Sequence, residues 1–196
     1  MAKKMTNRSK QALNTKKRIY QGGVKLIEQY GYENVTVDQI AKKARVSVGT
    51  YYHYFQSKFD LFVEIYRQGD EYFKAKVPEL LDQYDNCAAR TVAYFAIYAQ
   101  LSMDDGIGMV RNLYMPTNKM FLTHGRAMQD LLTDILRQGQ ENGELTHAEA
   151  PEKITEQLFV AARGVIFDWS LHDGKNDLIA DMEDMIHRLI VTYCLC

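Results

Sequence analysis

The sequence predicts an all-α protein, with a three-helix domain at the N-terminus and an antiparallel bundle of helices after it. Apolar residues recur at spacings of three and four through most of the 196 residues. Alternation of the kind that strands show never lasts for more than a few residues. Turn signals such as Asn142-Gly143 and Asp173-Gly174 divide the pattern into segments of helical length.

The first helix is expected to begin near Thr15, after a flexible basic arm over residues 1–13. Apolar residues recur at helical spacing from there, and Gly31 follows the last of them as a C-terminal glycine commonly does. Gly22 and Gly23 weaken the helix relative to alanine, which indicates that another part of the chain approaches its backbone closely.

Two short helices and one long helix follow. Thr36 and Gln39 form the Thr-x-x-Gln pattern of a capping box and start the second helix. Ser47 caps the third helix, which is short because a Ser-x-x-Asp start signal ends at Asp60 and opens the fourth. We expect Pro78 to end the fourth helix.

Five further helices are predicted after residue 83. Their expected bounds are residues 86–103, 107–114, 117–141, 151–172 and 177–194. Met115-Pro116 is a turn signal before the third of them, and Pro151 suits the first turn of the fourth. These helices form a second domain over residues 75–196, and the first domain takes residues 14–74.

The formal net charge of −1 is divided unevenly along the chain. Residues 1–58 hold twelve Lys and Arg against three Asp and Glu, a net charge of +9, and the remainder holds twelve against 22, a net charge of −10. This division is typical of a protein whose first third approaches a polyanion, either nucleic acid or an anionic membrane surface. No apolar run approaches the roughly 18 residues of a membrane span, and the start lacks a signal peptide's apolar core, so we expect a cytoplasmic protein.

The two short helices predict a helix-turn-helix DNA-binding unit at about residues 37–56, because they are joined by a tight turn, supported by longer helices and positively charged. The same stretch resembles a known family. The residues that carry the resemblance are the run from Ile19 through Gly31, Thr36-Val37, Ile40-Ala41, Val46-Ser47, Gly49-Thr50, Tyr52, Phe55, Ser57-Lys58 and Leu61. Over roughly residues 14–74 the chain is similar to the N-terminal domain of TetR-type transcriptional regulators.

Five consecutive ring-bearing residues occupy the third helix and its end. Tyr51 and Phe55 are four residues apart and share a face, so we expect them to pack in the core. Tyr52, His53 and Tyr54 are left for the opposite surface and the helix end. Their phenol and imidazole groups can donate to phosphate oxygens while the rings rest against sugars or a thymine methyl.

The resemblance implies which residues meet double-stranded DNA. The positions that lie at or near the groove in the family match Val48, Gly49, Thr50, Tyr52 and His53, and those that hold phosphates match Thr36, Tyr54 and Lys58. Lys58 also lies in the first turn of the fourth helix, where free N–H groups favour a phosphate. The cap hydroxyl of Ser47 is a further candidate, although Ser47 and Thr36 also fit the role of caps alone.

One position departs from the family pattern. Members of the family often carry glycine where this chain has Arg45, because the turn between the two short helices tends to be left-handed there. An arginine with a positive φ costs about 1 kcal/mol. Either the turn is built differently in this chain, or Arg45 offsets the strain with a phosphate contact.

A homodimer is expected, because one helix-turn-helix reads few base pairs and a two-fold dimer places two recognition helices about 34 to 36 Å apart on a palindromic operator. The last two helices carry apolar stripes wide enough for both a core and a partner. The candidate interface residues are Leu158, Ala162, Val165, Trp169, Met182, Ile186 and Leu189. A monomer that buries these stripes internally is the alternative.

The middle helices are rich in aromatic residues and methionine, most of which we expect in the core. Pockets between the helices of a bundle also hold ligands, oriented by a few polar groups. The candidate ligand-binding residues are Tyr98, Arg111, Tyr114, Phe121, His124 and Asp168. The resemblance implies a small-molecule effector that shifts the separation of the two DNA-reading heads.

The sequence therefore predicts a sequence-specific transcriptional regulator, a repressor that a small-molecule effector releases from a palindromic operator. An activator of the same family is the alternative. An enzyme is not expected, since the five histidines form no HExxH or comparable motif, and a membrane-surface protein is supported only by the basic arm. Three cysteines without zinc-type spacing predict reduced thiols, no metal and no cofactor.

Overall fold

The computed structural model describes residues 6–115, 118–123 and 125–195, and the chain forms two compact units within them, one up to Tyr66 and the other from Arg67 onwards. The helices described are α1 (Asn7–Tyr30), α2 (Val37–Lys43), α3 (Val48–Tyr54), α4 (Asp60–Leu81), α5 (Cys87–Asp105), α6 (Ile107–Leu113), α7 (Ala127–Glu141), α8 (Pro151–Leu171) and α9 (Leu178–Ile190), with short 3₁₀ helices at Met120–Leu122 and Val191–Tyr193. These ranges contain no strand beyond an isolated bridge, which confirms the all-α prediction. The sequence-based domain boundary at residues 74/75 and the division after Tyr66 both fall within α4.

Helix α1 begins earlier than predicted. The Thr6 hydroxyl accepts a hydrogen bond from the Ser9 amide at 3.2 Å and caps the helix, which starts at Asn7. The flexible arm predicted over residues 1–13 is therefore corrected for residues 7–13, and residues 1–5 lie outside the described ranges. The first turns of α1 are solvent-exposed, so they carry no apolar periodicity from which a helix could be predicted.

The first unit packs α1 to α3 and the start of α4 around one small core. Its buried side chains come from every one of these helices and include Ile19, Ile27, Ile40, Ala41, Tyr51, Phe55, Leu61 and Phe62. A Cβ placed on Gly23 would lie only 2.6 Å from Leu61 Cδ1, so the predicted close approach to this glycine is confirmed. An alanine there would force the Leu61 side chain to shift within the core.

The second unit is a bundle in which α5 lies against α7, α8 and α9, and α8 also contacts α6, α7 and α9. Its centre holds edge-to-face aromatic contacts, with Phe95 and Phe159 5.3 Å apart between ring centroids. Tyr94 is fully buried nearby and donates from its hydroxyl to the Met128 carbonyl at 2.6 Å. No helix within the described ranges is long and apolar enough to cross a membrane.

Two predicted helix boundaries are wrong. Pro78 lies inside α4 rather than at its end, because Phe73, Val77 and Leu81 continue the buried stripe of the helix past the proline. The helix predicted over residues 117–141 begins only at Ala127.

The late start of α7 has a cause outside its own sequence. Gly125 has φ of 71°, which interrupts helical backbone just before the helix. The Asp70 carboxylate of α4 accepts a hydrogen bond from the Met128 amide at 3.3 Å and pairs with Arg126 at 3.0 Å. This carboxylate supplies the cap that no residue adjacent to α7 provides.

Candidate nucleic-acid interface

The turn between α2 and α3 is left-handed. Arg45 has φ of 54°, its amide donates to the Lys42 carbonyl at 3.1 Å, and the Val46 amide donates to the Ala41 carbonyl at 3.0 Å. These two bonds are those of a Schellman motif, whose C′ residue is usually glycine. The turn thus has the conformation that usually requires glycine at this position, and Arg45 itself adopts the left-handed backbone.

Helix α2 starts with the capping box that the sequence predicts. The Gln39 amide donates to the Thr36 hydroxyl at 3.2 Å, and the Thr36 amide donates to the Gln39 side chain at 2.8 Å. Ser47 caps α3 in the same way, accepting from the Thr50 amide at 3.0 Å. Since both cap residues remain exposed, their hydroxyls can still face an external partner.

Helix α3 has one buried face and one exposed face. Tyr51 and Phe55 are buried in the core, and the Tyr51 hydroxyl donates to the Ser57 carbonyl at 3.0 Å. Burial raises the pKa of that phenol well above its usual range. Tyr52 is 50% exposed and His53 is also exposed, as their spacing predicts.

Neighbouring rings hold the outward side chains of α3 in place. The Tyr52 ring meets Tyr51 edge-to-face at 5.6 Å, and the His53 ring meets Tyr54 in the same manner at 4.9 Å.

Gly49 is exposed, and a Cβ added to it would have the Ser47 hydroxyl oxygen as its nearest neighbour, at 3.8 Å. Packing within the described ranges therefore does not require glycine there, which leaves room for a close approach from outside.

The position of Lys58 differs from the sequence-based expectation. Its ammonium donates to the Tyr32 and Val35 carbonyls, the latter at 2.8 Å, and lies 3.9 Å from the centre of the Tyr32 ring. A lysine engaged in this way ties the α1–α2 loop to the start of α4. Because two of the three ammonium donors are taken by loop carbonyls, we leave Lys58 out of the proposed phosphate contacts.

A polar face of α1 escaped the sequence analysis. Gln11, Asn14, Thr15 and Arg18 follow helical spacing and line a shallow groove together with Lys17 and Gln21. The spacing of these polar residues is present in the sequence, but it defines a helix face only because α1 already begins at Asn7. Such donors suit the oxygens of a nucleic-acid backbone.

The first unit is similar to a known family of regulators. Residues 19–65 match the model of the tetR family of bacterial regulatory proteins. Over 180 residues the chain is 23% identical to the fatty acid metabolism regulator protein of Bacillus subtilis (strain 168), covering 88% of this chain and 92% of that protein. The first unit therefore holds a TetR-type DNA-binding domain. A chain with this domain is a DNA-binding transcriptional regulator, as the sequence predicts.

Solved structures of two regulators show the same fold as this chain. The fatty acid degradation regulator FadR of Bacillus halodurans superposes with a TM-score of 0.76 at 22% identity, covering 96% of this chain and 97% of that chain. FadR of Bacillus subtilis in complex with stearoyl-CoA gives a TM-score of 0.75 at 21% identity, covering 89% and 97%.

Three of the candidate ligand-binding residues of this regulator lie together in the second unit. The Tyr114 and Phe121 rings are 4.9 Å apart between centroids. Burial raises the pKa of Tyr98, and a hydrogen bond with Tyr114 partly opposes that shift. The guanidinium of Arg163 lies 5.4 Å from the centre of the Phe121 ring and adds a cation to this aromatic group.

Arg111 lines an open cavity together with Tyr114 and Phe167, whereas Asp168 is not among the lining residues of that cavity. Arg111 donates to the Ser170 carbonyl at 3.0 Å and to the Asp173 carboxylate, because α6 buries the face opposite Arg111. Asp168 is exposed and lies 3.4 Å from the His172 ring. Arg111 therefore stays a candidate beside Tyr114, the prediction for Asp168 is corrected because its carboxylate is exposed, and His124 lies outside the described residues.

The candidate dimer-interface residues are mostly core residues. Leu158, Ala162, Trp169, Met182 and Ile186 are all at least nine-tenths buried within the second unit, and Val165 and Leu189 are half-buried. The prediction took a core stripe for a free surface, because apolar residues occur on both faces of each helix. A different set of large apolar side chains is exposed on α8 and α9, namely Val160, Phe167, Leu171 and Met185.

Proposed function

We propose that this regulator is a homodimeric repressor that binds a palindromic operator through α2 and α3 and is released by a small-molecule effector. The observation that carries the proposal is the exposed face of α3. It presents Gly49, Tyr52 and His53 outward on a unit of high positive charge, while Tyr51 and Phe55 fix the helix from behind. A short helix supported in this way can enter a major groove.

The proposed groove contacts are Val48, Gly49, Thr50, Tyr52 and His53, and the proposed phosphate contacts are Thr36, Ser47 and Tyr54. Tyr52 is the sharpest test of this assignment. Tyr52→Ala should weaken binding to the operator by about 1 to 3 kcal/mol and binding to random duplex DNA much less, if the phenol touches bases. Fluorescence anisotropy with a duplex selected from a random library measures both affinities. Equal losses on the two duplexes would make Tyr52 a backbone contact.

A matched control comes from the second unit. Tyr72 is a tyrosine of α4 that is 39% exposed, close to the exposure of Tyr52. Tyr72→Ala should leave both affinities unchanged, since the side chain lies outside the positively charged unit. A loss equal to that of Tyr52→Ala would contradict the assignment of DNA binding to α3.

The exposed residues of α8 and α9 support a dimer. Val160, Phe167 and Leu171 lie four and seven residues apart along one side of α8, and Gly164 between them has open space around its Cα. Exposed apolar side chains in such a row favour contact with another protein surface. A two-fold axis through this row would pair α8 with its copy and give a dimer suited to a palindrome.

A fatty acyl-CoA is the effector class that we propose first. Two proteins similar to this chain point to it: the regulator of fatty acid metabolism that is 23% identical, and the FadR structure that contains stearoyl-CoA. The group of Tyr98, Tyr114 and Phe121 offers apolar surface for an acyl chain, and Arg163 offers a cation for an anionic head group.

The test compares stearoyl-CoA with free CoA. Stearoyl-CoA should raise the Tm and release DNA, because a ligand that binds only the folded state adds RT ln(1 + [L]/Kd) to stability. Free CoA should do neither at the same concentration. Arg163→Met should weaken the response to stearoyl-CoA without altering DNA affinity in its absence. If no acyl-CoA shifts the Tm, another effector class is required.

A further inference from the structure

Arg45 is unfavourable for folding on two separate grounds. Its φ of 54° lies in the left-handed region, where a side chain is strained and glycine is not. It also follows Lys42 and Lys43, which are exposed and carry charge of the same sign. Glycine at position 45 would remove both effects.

Nothing within the described ranges compensates for these costs. The Arg45 side chain is exposed, and across residues 6–115, 118–123 and 125–195 it has no hydrogen-bond or ion-pair partner. Lys16, another cation of the first unit, instead pairs with Glu64 at 2.7 Å. A strained residue that gains nothing from its own fold indicates a role outside it.

The position of Arg45 suggests what that role is. It stands two residues before Ser47, the cap of α3, and so at the edge of the surface that presents Gly49 and Tyr52. A guanidinium offers five donors in a planar fork that matches the oxygens of a phosphate. We propose that Arg45 is a DNA-phosphate contact in the turn, where the chain accepts a less stable turn in return for affinity. This inference rests on the proposed function of α2 and α3.

Replacing Arg45 should change stability and DNA affinity in opposite directions. Arg45→Gly should raise the Tm by about 2 to 4 °C. The same variant should bind DNA several-fold more weakly, by the same factor on operator and on random duplex. The slope of log K against log salt should flatten by about 0.9. Arg45→Asn should have the same effects on Tm, affinity and salt slope. Asparagine also tolerates a left-handed backbone, but it does not raise the conformational entropy of the unfolded chain as glycine does.

Two further variants separate the phosphate contact from simpler explanations. Arg45→Lys should retain most of the salt slope while keeping the low Tm, because the charge stays and the left-handed backbone stays. Lys25→Ala removes an exposed cation of α1 and should change the salt slope less than Arg45→Gly does. An equal change in slope would show that only the net charge of the protein matters, and would overturn the inference.

The outcomes distinguish this inference from the proposed function. If the unaltered protein binds no duplex, the proposed function fails and the inference falls with it. If the unaltered protein binds DNA and Arg45→Gly keeps the full slope and affinity, the inference alone is overturned. A higher Tm together with a flatter slope supports it.

Discussion

Lys58→Met should destabilise the protein without changing the number of phosphates that it contacts. In the structure the Lys58 ammonium donates to two carbonyls of the α1–α2 loop, those of Tyr32 and Val35, and lies over the Tyr32 ring. Methionine keeps most of the aliphatic stem but has neither the donors nor the charge. The variant therefore leaves both carbonyls without this partner and removes the contact between cation and ring.

The expected loss can be estimated from these contacts. Hydrogen bonds from a charged donor contribute about 1.5 to 3 kcal/mol each, and an exposed cation–π contact about 0.5 to 1 kcal/mol. Because Lys58 is only half-buried and water can reach the freed carbonyls, we expect a total loss of about 2 kcal/mol. For a chain of this length that loss lowers the Tm by about 4 to 8 °C.

Thermal unfolding and anisotropy at several salt concentrations measure the two effects separately. The salt slope should match that of the unaltered protein, since a lost phosphate contact would flatten it by about 0.9. Lys42→Met, at an exposed lysine of α2, is the control for losing a lysine without losing this connection and should leave the Tm nearly unchanged. An unchanged Tm for Lys58→Met with a flatter slope would refute the reasoning and restore Lys58 as a phosphate ligand.

Three further predictions concern the second unit. Burial raises the pKa of the Asp105 carboxyl to about 7, so the folded chain holds a proton that the unfolded chain releases near pH 4. Stability should therefore fall between about pH 4 and 7, and Asp105→Asn should remove up to about 4 kcal/mol of that fall in unfolding experiments at each pH. Phe167→Glu should raise the dimer Kd by about 30-fold or more in sedimentation, because it places a charge in the proposed interface. Burial raises the pKa of the Cys87 thiol to about 11, so at pH 8 iodoacetamide should modify Cys194 well before Cys87 in peptide mass spectrometry.

Each of these predictions has a matched control. Asp104→Asn changes the exposed neighbour of Asp105 and should leave most of the pH dependence in place. Leu122→Glu adds a charge at a leucine that is 67% exposed and lies outside α8 and α9, so the dimer should persist. Denatured protein should be alkylated at Cys87 and Cys194 at similar rates. A dimer that survives Phe167→Glu would show that the two-fold axis lies elsewhere.

The features predicted correctly from the sequence are those that depend on residues close together in the chain. The caps at Thr36 and Ser47 depend on residues three positions away, and both form as predicted. The buried and exposed faces of α3 follow from the four-residue spacing of Tyr51 and Phe55, because nothing else on that short helix competes for the core.

The features predicted wrongly are those that depend on residues far apart in the chain. Helix α7 begins late because Asp70, which lies in α4, caps it, and no local pattern shows this. The ammonium of Lys58 binds a loop more than twenty residues earlier in the chain. On α8 both faces are apolar, so periodicity identifies two stripes but does not tell which of them, that of Ala162 or that of Phe167, enters the core.

Selection from a random duplex library tests the central claim most directly. Repeated binding and amplification should enrich sequences with two inverted half-sites, their centres one helical turn or a multiple of it apart, at about 10 to 10.5 base pairs per turn. Tyr52→Ala should lose this enrichment while it still retains duplex DNA at low salt. Enrichment of single half-sites would contradict the dimer, and the absence of any enriched sequence would contradict sequence-specific recognition by α3.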